Sequence, residues 1–269
     1  MGKVLQITTV LFVVQLTMGG KMMINETTIN KLITMRFNSM AENYRLQLQD
    51  KSMSELSFDD RFGLLVDNEW DRRKNNKLLR LIKKASLKFP NACVEDIEYH
   101  SDRKLNKSQV MSLATCQYIL EHHNIIIMGA AGNGKSYISC AFGVAACKHD
   151  YTTKYIRLPE LLDELAIAKG EGIFQKVIKQ YKRVSLLIID EWLLTDLKGN
   201  ESRDLLEIIE SRHQQTSTIF CSQFSPNGWY EKIGEGTLAD AILDRIVHDS
   251  YEIYIDGKIS MRERYGLKK

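Results

Sequence analysis

Proline is scarce, three residues in 269, and there is no low-complexity stretch or internal repeat. The chain therefore lacks the material for a long stiff or flexible linker, and its parts are expected to join compactly. Cysteine is sparse as well. The five, Cys93, Cys116, Cys140, Cys147 and Cys221, are odd in number and form no C-x-x-C pair. That excludes a disulfide framework and a zinc ribbon, and it suits free thiols in a reducing compartment. No apolar run reaches the roughly 20 residues that cross a bilayer. The nearest, Val4 to Leu16, is interrupted by Gln6, Thr8, Thr9 and Gln15. No membrane role is expected, and the expected address is cytoplasmic. Net charge is also small, and +3 is too little to name a partner from the sum.

What the chain does hold is a phosphate-binding loop. The apolar run Ile125-Ile126-Ile127-Met128 empties into Gly129-Ala130-Ala131-Gly132-Asn133-Gly134-Lys135-Ser136, a complete G-x-x-x-x-G-K-[ST]. The glycines let successive N–H groups turn inward on phosphates, Lys135 reaches the β- and γ-phosphates, and the Ser136 hydroxyl can ligate Mg²⁺. From Tyr137 onward the pattern is helical, so a positive helix end adds to the anion site. Strand, loop and helix stand in the required order for a site that holds ATP or GTP.

The N-terminus follows from that site. Residues 4–16 after Lys3 have the outline of a weak signal-peptide core, yet export would carry a nucleotide site to where nucleotide is scarce. Met22-Met23-Ile24-Asn25-Glu26 reads as a natural start, and residues 1–23 as an upstream extension or mis-assigned initiation.

Residues 24–107 read as a small all-α domain for oligomerisation and DNA binding. One amphipathic helix is expected over Ile29–Gln49, and another begins at Ser57 with Asp59 and Asp60 in its first turn. The second runs into a basic tract that Phe89-Pro90-Asn91 ends, and a third helix is expected over Ser108–His122. From 108 to 269 apolar runs alternate with helices, the mark of a parallel α/β sheet. Candidate strands are Asn124–Met128, Thr153–Leu158, Ser185–Asp190, Thr216–Ser222 and Tyr251–Ile255. Candidate helices are Ser136–His149, Glu160–Ala168, Ile173–Arg183, Arg203–Gln214 and Leu238–His248. Five strands so interleaved match a three-layer P-loop NTPase domain.

Further chemistry clusters at strand ends. Leu186-Leu187-Ile188-Ile189 suits a strand buried on both faces, and Asp190-Glu191 falls at its carboxyl end, where such sheets present ligands. Asp190 is placed to hold Mg²⁺ and Glu191 to polarise an attacking water. At the end of the next strand, Ser222 and Gln223 either orient that water or serve ordinary strand-to-loop chemistry. Arg245, late in the domain, either reaches a neighbour's γ-phosphate, as in oligomeric ATPases, or pairs on its own surface with Asp249 or Asp244. In the basic tract, Arg72, Arg73, Lys74, Lys77, Arg80, Lys83, Lys84 and Lys88 face the single acid Asp71. Such a helix could track a phosphate backbone or form a solvated face, and nucleic acid is the favoured reading. Trp70 and Tyr99 beside it read as core aromatics.

Together these elements resemble the IstB family of insertion-sequence ATP-binding proteins. The resemblance is carried by 56–70, the loop, Tyr155-Ile156-Arg157-Leu158-Pro159, 203–210, Cys221-Ser222-Gln223 and 237–248. It implies an AAA+ ATPase related to DnaC-type helicase loaders, using ATP and Mg²⁺. Such proteins bind duplex DNA as ATP-dependent homo-oligomers and stimulate a partner transposase. By match, Gly129–Ser136 is the Walker A loop, Asp190-Glu191 the Walker B acids, Ser222-Gln223 the sensor-1 position and Arg245 the trans-acting finger. Arg262 is a candidate nucleotide contact. The main alternative is a DnaC-like replicative helicase loader; a nucleotide-dependent DNA scaffold without turnover and a small-molecule kinase are weaker ones.

Overall fold

The structure, a computed structural model, describes residues 25–234, 236–257 and 259–266. The extension expected at 1–23 lies outside the described residues. The chain divides into a unit that ends at Lys77 and one that begins at Leu78.

In the first unit, α1 (25–34) and α2 (Asn38–Gln49) replace the single helix expected there. The break falls at Arg36, whose φ of 63° lets the Phe37 amide reach back to Leu32 O at 2.8 Å. Helix α3 (Phe58–Ala85) starts as expected: the Ser57 hydroxyl accepts the Asp60 amide at 3.2 Å, with Asp59 and Asp60 in the first turn. Helix α2 lacks a cap of its own, because Phe37 occupies that position. Glu69 of α3 supplies one, accepting the Ser39 and Met40 amides at 2.9 and 3.2 Å. Arg73 in turn donates to Glu69 at 2.7 Å and to Arg36 O at 3.0 Å, and its guanidinium lies 4.6 Å from the Phe37 ring centroid.

That brace gives a pH-dependent prediction. Burial alone would raise the Glu69 carboxyl, but Arg73 and the two amides outweigh it and hold it below its ordinary value. A depressed carboxylate stabilises the fold above its unfolded pKa, and that stabilisation is lost as pH falls through the folded value. Glu69→Gln should therefore destabilise the chain by about 1–3 kcal/mol at pH 7. In urea melts the deficit should shrink as the pH falls below the ordinary glutamate range and through the depressed folded value; a deficit independent of pH would refute the charge argument.

The apolar content of α3 in this unit departs from expectation. Leu65 is buried, whereas Phe58, Phe62, Val66 and Trp70 are exposed. Trp70, at 67% exposure, is not a core residue. Tyr99, in the second unit, does pack against the core.

The second unit is a five-stranded parallel sheet in the order β2-β3-β4-β1-β5. Its strands are β1 (Asn124–Gly129), β2 (Thr153–Arg157), β3 (Leu186–Trp192), β4 (Ser217–Ser222) and β5 (Ser250–Ile255). Strand side chains alternate between faces, so an apolar run feeds two cores at once. Ile125 and Ile127 of β1 and Ile188 of β3 pack on one face with α6 (Lys135–Lys148) and with Leu81 and Ala85 of α3. Cys140 and Cys147 lie in this core as free thiols. Ile126, Met128, Leu187 and Ile189 pack on the other face with α7 (Leu158–Gly170), α8 (Phe174–Arg183), α9 (Glu201–Arg212) and α11 (Gly236–Val247). Three layers result, as expected.

Three local outcomes differ from the sequence reading. The helix expected over 108–122 is two, α4 (Lys107–Ala114) and α5 (Gln117–Leu120), parted at Cys116, whose φ is 62°. Helix α10 (Pro226–Ile233) was not expected; its Trp229 is fully buried. The expected domain boundary at 107/108 lies later than the structural division, because Leu81, Ala85, Leu87, Ala92, Val94 and Ile97 all belong to the core beneath α6. A last short helix, α12 (Met261–Arg264), follows β5. Among the described residues, no helix is long and apolar enough to cross a membrane.

Candidate nucleotide site

The loop 129–136 leaves β1 at its carboxyl end and enters α6. Two glycines are dictated by their surroundings. A Cβ on Gly129 (φ 152°) would stand 2.3 Å from Ile255 O, and one on Gly134 (φ 87°) would stand 3.0 Å from an Arg103 nitrogen. Segments from both ends of this unit buttress the loop. Arg103 donates to Asn133 O at 2.8 Å and also to Glu98 O. Asn133 donates to Ile255 O at 3.0 Å, and the Met261 amide donates to Gly132 O at 2.9 Å.

Lys135 Nζ donates to Gly129 O at 2.7 Å and to Ala130 O at 2.9 Å, which holds the ammonium across the loop. Burial lowers its pKa, and nearby Arg262 pushes the same way against Cys221 and Asp190. A lysine so desolvated gains from an arriving anion. Ser136 Oγ donates to Asp190 Oδ2 at 2.6 Å, joining α6 to β3. Asp190 is 3% exposed; Tyr155 of β2 also donates to its Oδ2 at 2.6 Å, and the Glu191 amide donates to Oδ1 at 2.9 Å. Burial first, and then this carboxylate, push the Tyr155 phenol far above its ordinary range, so it stays a donor.

Glu191 has a φ of 57°, and the pairing of β3 with β4 shifts between Ile189 and Trp192. Left-handed backbone in a non-glycine residue costs of order 1–3 kcal/mol and gathers at functional sites. Here it takes Glu191 out of the strand alternation. Arg157 Nη1 approaches its carboxylate at 3.7 Å while holding Glu160 at 2.6 Å.

Among the described residues no group of three or more His, Cys, Asp and Glu could hold a metal ion alone. One buried carboxylate beside one hydroxyl is instead the donor set of Mg²⁺ shared with phosphate oxygens and water. The residues present fit that ion.

Beside the loop lies a cavity of 740 Å³, lined by Phe89, Tyr137, Arg103, Met261, Arg262 and Tyr265 among others. The Phe89 and Tyr137 rings lie 5.8 Å apart, tilted by 53°, and the Tyr137 hydroxyl accepts the Cys93 amide at 3.4 Å. The volume and the aromatic walls suit a nucleoside.

The expected residues do not all converge. Lys135, Ser136, Asp190 and Glu191 come together at the ends of β1 and β3. Ser222 is fully buried, and its hydroxyl is engaged three ways: it donates to Trp192 O at 3.0 Å and accepts from Phe224 N at 3.1 Å and Trp229 Nε1 at 3.0 Å. It ties β3, β4 and α10 together, which leaves the exposed Gln223 as the residue able to face a ligand. Arg245 pairs with neither Asp249 nor Asp244; it donates to Ala241 O at 2.9 Å and meets Glu210 at 3.2 Å, while Asp244 pairs with His248 at 3.5 Å. Arg73 is committed to Glu69 and Arg36, a structural duty the basic pattern did not reveal. Arg72 is exposed in the first unit, and Arg80, Lys83 and Lys84 are exposed in the second.

Sequence reasoning missed Tyr155, Arg157 and Arg103. Tyr155, in the mixed strand Thr153-Lys154-Tyr155-Ile156-Arg157, and Arg103 offered no signal.

The family model for IstB-like ATP binding protein matches residues 30–268. An insertion-sequence ATP-binding protein of Sinorhizobium fredii is 37% identical over 242 residues, 90% of this chain and 98% of that protein. Among solved structures, DnaI matches with a TM-score of 0.54 at 19% identity, covering 61% of this chain and 91% of that one. The DnaC helicase loader matches with a TM-score of 0.50 at 16% identity, covering 62% of this chain and 97% of that one. At such identities the two structures speak for the fold. Loop, strand order and a match over nearly the whole described chain agree: this protein belongs to the IstB-like family of ATP-binding proteins encoded by insertion sequences, with an AAA+ P-loop fold.

Proposed function

We propose that the chain is a Mg²⁺-dependent ATPase that assembles as a homo-oligomer on duplex DNA in the cytoplasm and stimulates its partner transposase. The reading rests above all on the contact of Ser136 Oγ with Asp190 Oδ2 at 2.6 Å, which joins the phosphate loop to the acidic strand end beside Glu191. The loop amides and Lys135 bind the phosphates. Phe89, Tyr137 and Tyr265 enclose the nucleoside. Ser136 and Asp190 hold Mg²⁺, which when bound neutralises charge on the phosphates. Glu191 takes a proton from the attacking water, and Gln223 at the end of β4 orients that water or the terminal phosphate. Arg245 completes a neighbouring protomer's site.

For DNA, the support is the exposed Arg72 in one unit and the exposed Arg80, Lys83 and Lys84 in the other. Each phosphate contact contributes roughly 0.9 to the slope of log K against log salt. Neutralising these four with ATP bound should flatten that slope by about one per lost contact, measured on duplex DNA by anisotropy. Arg73 is left intact, since its loss would also unfasten Glu69. An unchanged slope and affinity would remove the basic helix from the DNA reading. The alternative, a replicative helicase loader, draws on the fold likeness to DnaC alone, whereas the 37% identical relative belongs to an insertion sequence.

A further inference from the structure

Asp190 is fixed from three sides, by donors of different kinds. The Glu191 amide is backbone, and the Ser136 hydroxyl belongs to the residue that would also offer a lone pair to Mg²⁺. The third donor, Tyr155, has no other evident duty. It stands on β2, in register with Ile188 of β3, and its ring is buried in the core beneath α6. Phenylalanine would fill that space as well. A buried hydroxyl is costly unless it is hydrogen-bonded, and this one spends its proton on Asp190 Oδ2 at 2.6 Å.

We propose that Tyr155 is a positioning residue for the metal-holding carboxylate: its phenol fixes the Asp190 side chain in the orientation that presents it to the mouth of the loop. The proposal rests on the reading of Asp190 and Ser136 as the Mg²⁺ holders. A carboxylate anchored from below has no orientational freedom left to lose when the ion arrives. The strand supplies rigidity that a loop hydroxyl cannot. Partners that orient a metal's ligands typically tune metal affinity by about 10–100-fold.

The test titrates Mg²⁺ into the full chain with a fluorescent, non-hydrolysable ATP analogue and reads nucleotide affinity rather than turnover. Each variant is also measured in EDTA, so that its Mg²⁺-dependent gain is normalised to its own folded, nucleotide-competent fraction. Tyr155→Phe should keep its EDTA affinity within about twofold and need about tenfold more Mg²⁺ for half the gain. Asp190→Asn should abolish the gain, and Tyr155→Phe should add nothing on top of it. If Tyr155→Phe keeps the original Mg²⁺ midpoint while Asp190→Asn loses the gain, the positioning role is wrong and the metal assignment stands. If EDTA affinity falls markedly as the Mg²⁺ midpoint rises, Tyr155 is merely structural and the proposal fails. If Asp190→Asn retains the full gain, the metal assignment itself fails, and the role of Tyr155 with it.

Discussion

Glu191→Gln is expected to bind ATP with close to unaltered affinity and to lose about 10²–10⁴-fold in steady-state hydrolysis, the usual contribution of a positioned general base. The substitution keeps size and hydrogen-bonding capacity while removing the charge that takes the proton. The local backbone should tolerate it, because the left-handed conformation at 191 is set by the shifted pairing of β3 rather than by the carboxylate. The Arg157 contact, at 3.7 Å and partly exposed, is too weak for its loss to unfold the site. Turnover and nucleotide affinity measured side by side decide the matter. Normal turnover would mean that another group activates the water; a parallel loss of affinity would mean that the residue supports binding instead.

The parts of this protein that were legible in its sequence are those governed by short-range rules. Four consecutive apolar residues at 186–189 announce a strand buried on both faces, and they do feed both cores. The three glycines of the loop 129–136 stand where the backbone demands them: all have positive φ, and a Cβ on Gly129 would collide with Ile255 O. What stayed hidden depends on partners distant along the chain. The Glu69–Arg73 pair is one helical turn long, but nothing near it tells that Glu69 also caps α2 at Ser39, thirty residues upstream. Nothing near Ser222 tells that Trp192 and Trp229 occupy its hydroxyl. Trp70 departs in the opposite direction: large and aromatic, it reads as core, yet it is 67% exposed while Leu65 and Glu69 of the same helix are buried.

Arg245→Ala should fold normally, bind ATP and lose about 10³-fold or more in turnover, on the scale of arginine fingers in other nucleotide hydrolases. The reason lies in what its own chain gives it: the Ala241 carbonyl one turn back and a single exposed carboxylate. Its charged partner Glu210 is well exposed, and such surface pairs are worth about 0–1 kcal/mol, so little is lost when the guanidinium turns to a stronger anion. The helix is anchored independently of that side chain: Ala239, Ile242 and Ile246 are fully buried, and His213 Nδ1 lies 3.3 Å from Arg245 O. A residue with a firmly seated backbone and a partly exposed guanidinium held by one carbonyl and one surface carboxylate can serve a site on a second copy. Mixing separates this from a role within one chain. Lys135→Ala protein is inactive through its own loop but carries an intact Arg245, and the Arg245→Ala partner carries an intact loop. Mixed assemblies should regain turnover that rises and then falls with the ratio of the two. If the mixture stays inactive at every ratio while both variants still co-assemble, the arginine acts in cis or only structurally, and the loop at 129–136 is not shared between protomers.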